Sequence, residues 1–311
     1  MNLYQSGTPV NDEYQEVEDS IVTHRLFSLH GPYRKAVLKW AENAKSRTKR
    51  PTHIMLDSGA FSAWNKGHEA TLENVVTAYD EFLQIAGDLF TEIWMINLDK
   101  IPGSKGGPEP TVEELDDATR ISDKNLAVLQ ARFGDRILPV FHQGESRERL
   151  EIVKSQAHYI CVSPRNDLPE HQRRNWSMEV HGSTKQNKTH GLATTGNDMM
   201  RLVPWHSVDS AAWVLHSAYG IVDIFMGDRY KGFFFSIEGG KQKEEGIHYD
   251  TITQAVRDRL DERLKLYPFT LQQIKENSRI RSLINLGEIQ ASCTLAKTAT
   301  KGAVMESLFG F

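Results

Sequence analysis

The sequence predicts an α/β fold whose parallel sheet closes as a (β/α)8 TIM-like barrel. Three observations carry that expectation. Short runs rich in Ile, Val and aromatic residues recur along the chain, with helical patterns between them. About eight such runs can be found, the strand number of a barrel. Several end in Asp, Gln or Ser, at the C-terminal strand ends where such barrels assemble their sites. An open dinucleotide-binding sheet calls instead for a Gly-rich turn after its first strand. The Gly-rich stretch G-S-K-G-G-P (103–108) has neither the GxGxxG spacing nor a P-loop Lys-Ser/Thr.

The expected strands are I-M-L-D (54–57), I-W-M-I-N-L-D (93–99), I-L-P-V-F-H-Q (137–143), Y-I-C-V-S (159–163), T-H-G-L-A-T-T (189–195) and W-H-S-V-D (205–209). Weaker runs are V-D-I-F-M (222–226) and F-F-F-S-I (233–237). Residues 72–86 set Leu72, Val75, Val76, Tyr79, Phe82, Leu83 and Ala86 on one helical face, with Thr71 as N-cap. Helical spacing also marks 114–133 and 250–266, and Ser146 caps a helix carrying Leu150 and Val153. The expected organisation is a single domain over 1–311. Its N-terminal 1–50 is partly irregular, 165–190 is a long loop insertion, and 269–311 is a helical C-terminal extension.

Composition narrows the class. With 39% hydrophobic and 25% charged residues among 311, the chain is a globular protein rather than a disordered one. No apolar run nears the roughly 20 residues of a membrane span, so no membrane partner is expected. The first residues lack a secretory pattern, which sets a cytoplasmic expectation. Two cysteines, Cys161 and Cys293, are too few for a disulfide framework or a Cys-based metal cage. HExxH and HxH are absent, so no metal and no cofactor is expected. A net charge of −4 does not advertise nucleic-acid binding. Locally, however, 34–50 holds seven bases against Glu42, while 1–20 holds five acids and no base. The basic run reads equally as a polyanion patch or as a solvated helix face.

Polar groups at strand ends would converge on one barrel face: Asp57, Asp99, His142 with Gln143, Ser163 with Arg165, and Asp209. An Asp in such a place often only caps the next helix or closes a turn. Three acids sharing a pocket repel one another, a cost that function explains better than folding does. Ser-His-Asp chemistry lacks its G-x-S-x-G elbow. Cys161, mid-strand among apolar neighbours, reads as inert. Paired carboxylates remain, and their natural chemistry is at an anomeric carbon: one attacks C1′, another manages a proton.

Four motifs, in order, resemble the tRNA-guanine transglycosylases. L-D-S-G-A-F-S (56–62) resembles their D-S-G-G-F-Q signature. N-L-D-K-I-P-G (97–103) looks like their second acidic strand end, and F-H-Q-G-E (141–145) like their Gln-Gly strand end. S-V-D-S-A-A-W (207–213) sits where the family carries its nucleophilic Asp. The resemblance spans about 54–236 and is closest in style to the phage DNA-guanine transglycosylases. Departures are the absent Cys-x-Cys-x-x-Cys…His zinc site, Ala60 for the second Gly, Ser62 for Gln, and S-P-R-N-D (163–167) in place of a Gly-rich strand-end loop. The missing zinc subdomain argues against tRNA.

The resemblance implies a pentosyltransferase that exchanges guanine in DNA for a preQ0-like 7-deazaguanine. Asp209 is then the nucleophile and Asp57 the general acid/base. Asp99, Gln143, Ser58, Gly59, Phe61, Gly144 and Ser163 would bind the base, with Asp99 accepting from its N–H donors. Arg165, Arg173, Arg174, Lys185 and Lys188 would hold DNA, with Trp176 as a possible stacking residue and packing as its plainer role. The partners implied are DNA, guanine and the free 7-deazaguanine base. Alternatives are a tRNA-guanine transglycosylase, a carboxylate-based N-glycosidase of barrel fold, or a catalytically silent nucleic-acid-binding barrel.

Overall fold

Residue parity along each strand decides which side chains meet helices and which meet the interior. In β3 (His53–Asp57), Ile54 and Leu56 cluster with Val37 and Trp40 of α2 (Tyr33–Ala44) and with Tyr79 and Phe82 of α4 (Leu72–Ala86). Met55, between them, joins an inner cluster with Tyr4, Leu26, Ile96, Leu138, Val140, Tyr159 and Cys161. Both strand faces are therefore apolar, as a parallel sheet covered by helices requires. Trp40, Tyr79 and Phe82 are fully buried. Burial of each contributes about 1.5–3 kcal/mol, and Trp40→Ala would cost about 3–5 kcal/mol.

The computed structural model describes residues 1–66, 70–103, 107–227, 229–236 and 246–299. Two compact units divide the chain: Asn2–Ser210, and Ala211–Phe311 with Met1.

In the first unit the strands form a ring. β1 (Asn2–Ser6) pairs with β2 (His24–Ser28), β2 with β3, β3 with β4 (Glu92–Ile96), and β4 with β5 (Ile137–Leu138), all parallel. On its other side β1 pairs with β9 (Ser207–Ser210), followed by β8 (Lys188–Gly191), β7 (Tyr159–Ser163) and β6 (Val140–His142). β5 and β6 are halves of one run, 137–142, parted only by Pro139, which has no N–H to donate. The Pro139 carbonyl accepts from Cys161 N at 2.8 Å, and that of Leu138 from Asn97 N at 2.9 Å. One half faces β4 and the other faces β7. The nine segments are thus eight strands of a closed (β/α)8-type barrel, with helices between successive strands.

Helix starts follow local chemistry. Thr71 accepts from Asn74 N at the start of α4, and Thr111 and Glu114 form a capping box on α5 (Val112–Phe133). Ser146 accepts from Arg149 N at the start of α6 (Arg147–Gln156).

Three expectations are refined or corrected. The N-terminal 1–50 is irregular only in part, at its connections such as 7–14 and 45–50, and it holds β1, α1 (Gln15–Ile21), β2 and α2. β1 and β2 escape hydropathy because they bury polar residues. Gln5 and Arg25 are fully buried, and Arg25 is ion-paired with the equally buried Glu18. The weaker runs 222–226 and 233–237 are not barrel strands. Ile221–Phe225 and Tyr230–Phe234 form a separate antiparallel pair in the second unit, and residue 237 lies outside the described residues. The supposed loop 165–190 holds α7 (Glu170–Ser183), whose buried residues are only Ser177 and Val180, so it offers almost no apolar period.

The second unit holds that strand pair, β10 (Ile221–Phe225) and β11 (Tyr230–Phe234), with α9 (Ala212–Ala218), α10 (Gln254–Leu264), α11 (Leu271–Glu276) and α12 (Ser278–Ala299). Buried Asn285 of α12 accepts from Asp223 N at 2.7 Å and donates to the Trp213 and Ile221 carbonyls. Residues 300–311 of the expected C-terminal extension lie outside the described residues.

Candidate active site

Parity carries Asp57, two residues past Met55, to the barrel interior at the C-terminal end of β3. The chain then turns through Gly59 at φ +82°, and a Cβ there would lie 2.1 Å from the Cβ of His30. Only glycine fits this turn without strain. Burial pushes the Asp57 pKa up to about 6, and the charges of Asp99 and Asp209 add to the rise; the Gly59 N–H works against it. Asp57, Ser58 and Tyr79 line a cavity of about 260 Å³.

Asp99 lies just past β4, 9% exposed, with Oδ2 2.7 Å from His142 Nε2. Burial alone would disfavour the imidazolium, but Asp99, with Glu145 behind it, holds the His142 pKa above its ordinary value. Glu145 also accepts from the His142 backbone N–H at 2.7 Å. The neighbouring Gln143 accepts from Arg165 N through Oε1 at 3.0 Å. His142, Gln143, Gly144, Ser163, Arg165 and Phe61 share the wall of a second cavity, of about 470 Å³.

Asp209 pairs in register with Tyr4, an inward residue, so it too faces the interior. Its Oδ2 accepts from Ser6 Oγ at 2.9 Å and its Oδ1 from Ala193 N at 2.8 Å. Ala193 is the one non-glycine residue with positive φ (+51°) among the described residues, a strained backbone of the kind that gathers at functional sites. Arg173 donates to its carbonyl at 3.3 Å. His190 Nε2 lies 3.4 Å from Asp209 Oδ1.

The three acids therefore act on one region. Each raises the Cys161 thiol pKa, which burial already pushes well up. Asp57 borders the smaller cavity, Asp99 is reached from the larger one through His142, and Asp209 borders neither of these two.

Other predicted residues have different fates. Phe61, Gln143, Gly144 and Ser163 meet at the larger cavity. Ser58 is buried and donates to the Asn97 carbonyl at 3.0 Å, tying β3 to β4. Gly59 shapes the turn. Arg165 lines the cavity but pairs with Asp167, and Arg174 pairs with Asp198. Lys185 and Lys188 are exposed before and at the first residue of β8, hence at the barrel mouth opposite the acids, and this corrects their placement in the site. Trp176 stacks on Phe141 with ring centroids 5.8 Å apart. In the basic 34–50 run, Arg34 pairs with Glu81, and Arg47 pairs with Asp19 of the acidic N-terminal stretch.

Sequence reasoning missed Ser6, His190 and Ala193. Ser6 lies in an unrecognised strand. His190 was legible as an inward residue of T-H-G-L-A-T-T, had parity been applied to that run. Nothing in the residue type of Ala193 signals its backbone.

Among the described residues no three His, Cys, Asp or Glu side chains are grouped to hold a metal ion, and no helix is long and apolar enough to cross a membrane. No protein-family model matches the chain, and no curated protein matches it. Among solved structures it is similar to the tryptophan synthase alpha chain from Legionella pneumophila subsp. pneumophila, at 14% identity over 94% of this chain and 91% of that one, with a TM-score of 0.42. It is also similar to the carboxyl transferase domain of Rhizobium etli pyruvate carboxylase, at 10% identity over 95% of this chain and 48% of that one, with a TM-score of 0.30. Neither is described as a transglycosylase.

Proposed function

We propose that this chain exchanges guanine in DNA for a 7-deazaguanine base through an ester between Asp209 and deoxyribose. The observation that carries the reading is three acids, Asp57, Asp99 and Asp209, gathered at the C-terminal strand ends of one barrel. One of them, Asp57, has a pKa of about 6, close to the pH at which a carboxyl both holds and releases a proton.

In this reading Asp209 attacks C1′. The C1′–O bond forms as the C1′–N9 bond breaks, the bonding pair leaves with guanine, and Asp57 supplies the proton the base takes up. The incoming base gives a proton to Asp57 as its nitrogen attacks C1′, and the ester bond breaks to restore the Asp209 carboxylate. The larger cavity, at about 470 Å³, lies within the usual range for ligand pockets and reaches Asp99 through His142, while Asp57 and Asp209 stand outside its lining, so the base would enter from it toward them. Phe61 offers an aromatic face, Gln143 a donor for O6, and Asp99 an acceptor for N1–H and N2–H through lone pairs that His142 does not use. The target nucleotide must leave its stack to reach such a site.

Incubation with labelled guanine and either DNA or tRNA tests the reading. Label is expected in DNA, with a denaturation-resistant protein–DNA adduct, and Asp209→Asn is expected to abolish both while the circular dichroism spectrum is unchanged. Label in tRNA alone, or guanine released without incorporation, would overturn it in favour of a tRNA enzyme or an N-glycosidase. Full exchange by Asp209→Asn would remove that residue from its role.

A further inference from the structure

Three buried polar side chains connect in series to Asp209. Tyr159 Oη is 2.5 Å from Ser207 Oγ, Ser207 Oγ is 2.6 Å from His190 Nδ1, and His190 Nε2 is 3.4 Å from Asp209 Oδ1. Ser207 and His190 are fully buried and Tyr159 nearly so. Strand register brings them together. His190 stands opposite Ser207 across β8 and β9 and opposite Cys161 across β7 and β8, with Tyr159 two residues before Cys161 on the same inward face.

Proton accounting gives the series a direction. Ser207 has one hydroxyl proton to share between two neighbours. Burial keeps the proton on Tyr159, and Ser207 Oγ is the one hydrogen-bond partner of that hydroxyl among the described residues, so a satisfied Tyr159 donates to Ser207. Ser207 then accepts from Tyr159 and donates to His190 Nδ1. A ring that accepts at Nδ1 carries its proton on Nε2. That atom is buried and makes no hydrogen bond, yet it faces a carboxylate oxygen. The opposite tautomer would set a lone pair against that oxygen. A buried donor left unbonded costs stability, and such bonds commonly close only as the reacting complex forms.

We propose that Tyr159, Ser207 and His190 form a one-way chain of donors that holds His190 in its Nε2–H form and delivers that bond to Oδ1 of Asp209 as the carboxylate reacts. His190 is a positioning residue. Its kinetic consequence rests on the reading of Asp209 as nucleophile; its tautomer does not. With Oδ1 held by Ala193 N–H and by His190, and Oδ2 taking Ser6 as its one donor among the described residues, Oδ2 is the oxygen left to attack.

Long-range ¹H–¹⁵N correlation spectra of the full ¹⁵N-labelled chain at neutral pH test the chain of donors, with the His190 ring assigned by its loss in His190→Gln. A neutral ring protonated at Nε2, with Nδ1 shifted as a hydrogen-bond acceptor, is expected. Ser207→Ala should move Nδ1 toward its unbonded position, and Tyr159→Phe, which removes only the donor behind Ser207, should move it less. A ring protonated at Nδ1, or at both nitrogens, would overturn the proposal. In the base-exchange assay His190→Leu should lose about 10- to 100-fold in kcat with KM changed less than about threefold. His190→Gln, whose amide N–H can serve the same oxygen, should stay within about fivefold of wild type. Equal losses in the two variants at unchanged melting temperature would remove His190 from the positioning role. If His190→Leu does not fold, Ser207→Ala takes its place, and full kcat there counts against the chain. A wild-type protein that exchanges no base overturns the proposed function, while the spectra still decide the tautomer.

Discussion

Ser6 donates its hydroxyl to Asp209 across 203 residues of sequence, at 2.9 Å. β1 and β9 are neighbours in the ring, so the first strand orients the acid at the end of the last. A hydrogen bond to a charged group contributes about 1.5–3 kcal/mol. Ser6→Ala should therefore lower kcat for base exchange by about 10- to 100-fold, with the fold retained by circular dichroism. Unchanged kcat would show that Ser6 does not hold the reacting carboxylate.

Asp57 should leave a signature in stability against pH. Its pKa is about 6 in the folded chain and about 3.9 when unfolded. Below about pH 4 the group is protonated in both states. Between the two values the unfolded chain ionises while the folded one keeps its proton, so stability falls as pH rises, and the loss is complete above the folded value. Urea unfolding should show wild type losing up to about 3 kcal/mol more than Asp57→Asn between pH 4 and 7. Parallel curves for the two proteins would show that Asp57 is not held protonated by the fold.

Gly59→Ala should destabilise by at least about 2 kcal/mol, because the new Cβ meets His30 and the backbone sits at positive φ. A thermal melt should fall by about 4 °C or more. An unchanged melting temperature would mean the turn relaxes freely, and Asp57 would then not be rigidly placed.

His142→Phe should free Asp99 from its one tight side-chain partner among the described residues. The KM for free guanine is expected to rise about tenfold, with kcat less affected, as for a lost bond to a charged group that orients a binding acid. A change in kcat alone would place Asp99 in the chemistry rather than in base recognition.

Much of the fold was legible because its signal is local. The helix over 72–86 shows its apolar face and its Thr71 cap directly, and it forms as Leu72–Ala86. The strands that lead to Asp57 and Asp99 are apolar runs that stop at polar residues. Where strands bury polar groups, as β1 does with Gln5 and β2 with Arg25, hydropathy is silent, and runs in the second unit were counted in their place. Arg47 and Asp19 appeared as separate charge blocks, and only folding made them a pair 2.6 Å apart.

Sequence periodicity and residue type determined by themselves that parallel strands alternate with helices and that acids stand at strand ends, and the barrel expectation followed from that alternation. Both follow from patterns a few residues long, set by which side chains prefer water. Tertiary structure alone decided how Pro139 lets one strand close the ring, which mouth Lys185 and Lys188 occupy, and that Ser6, Ala193 and His190 surround Asp209. Those relationships join residues that are far apart in the chain, and their energies exist only once register and burial have brought the groups within a few ångströms of each other.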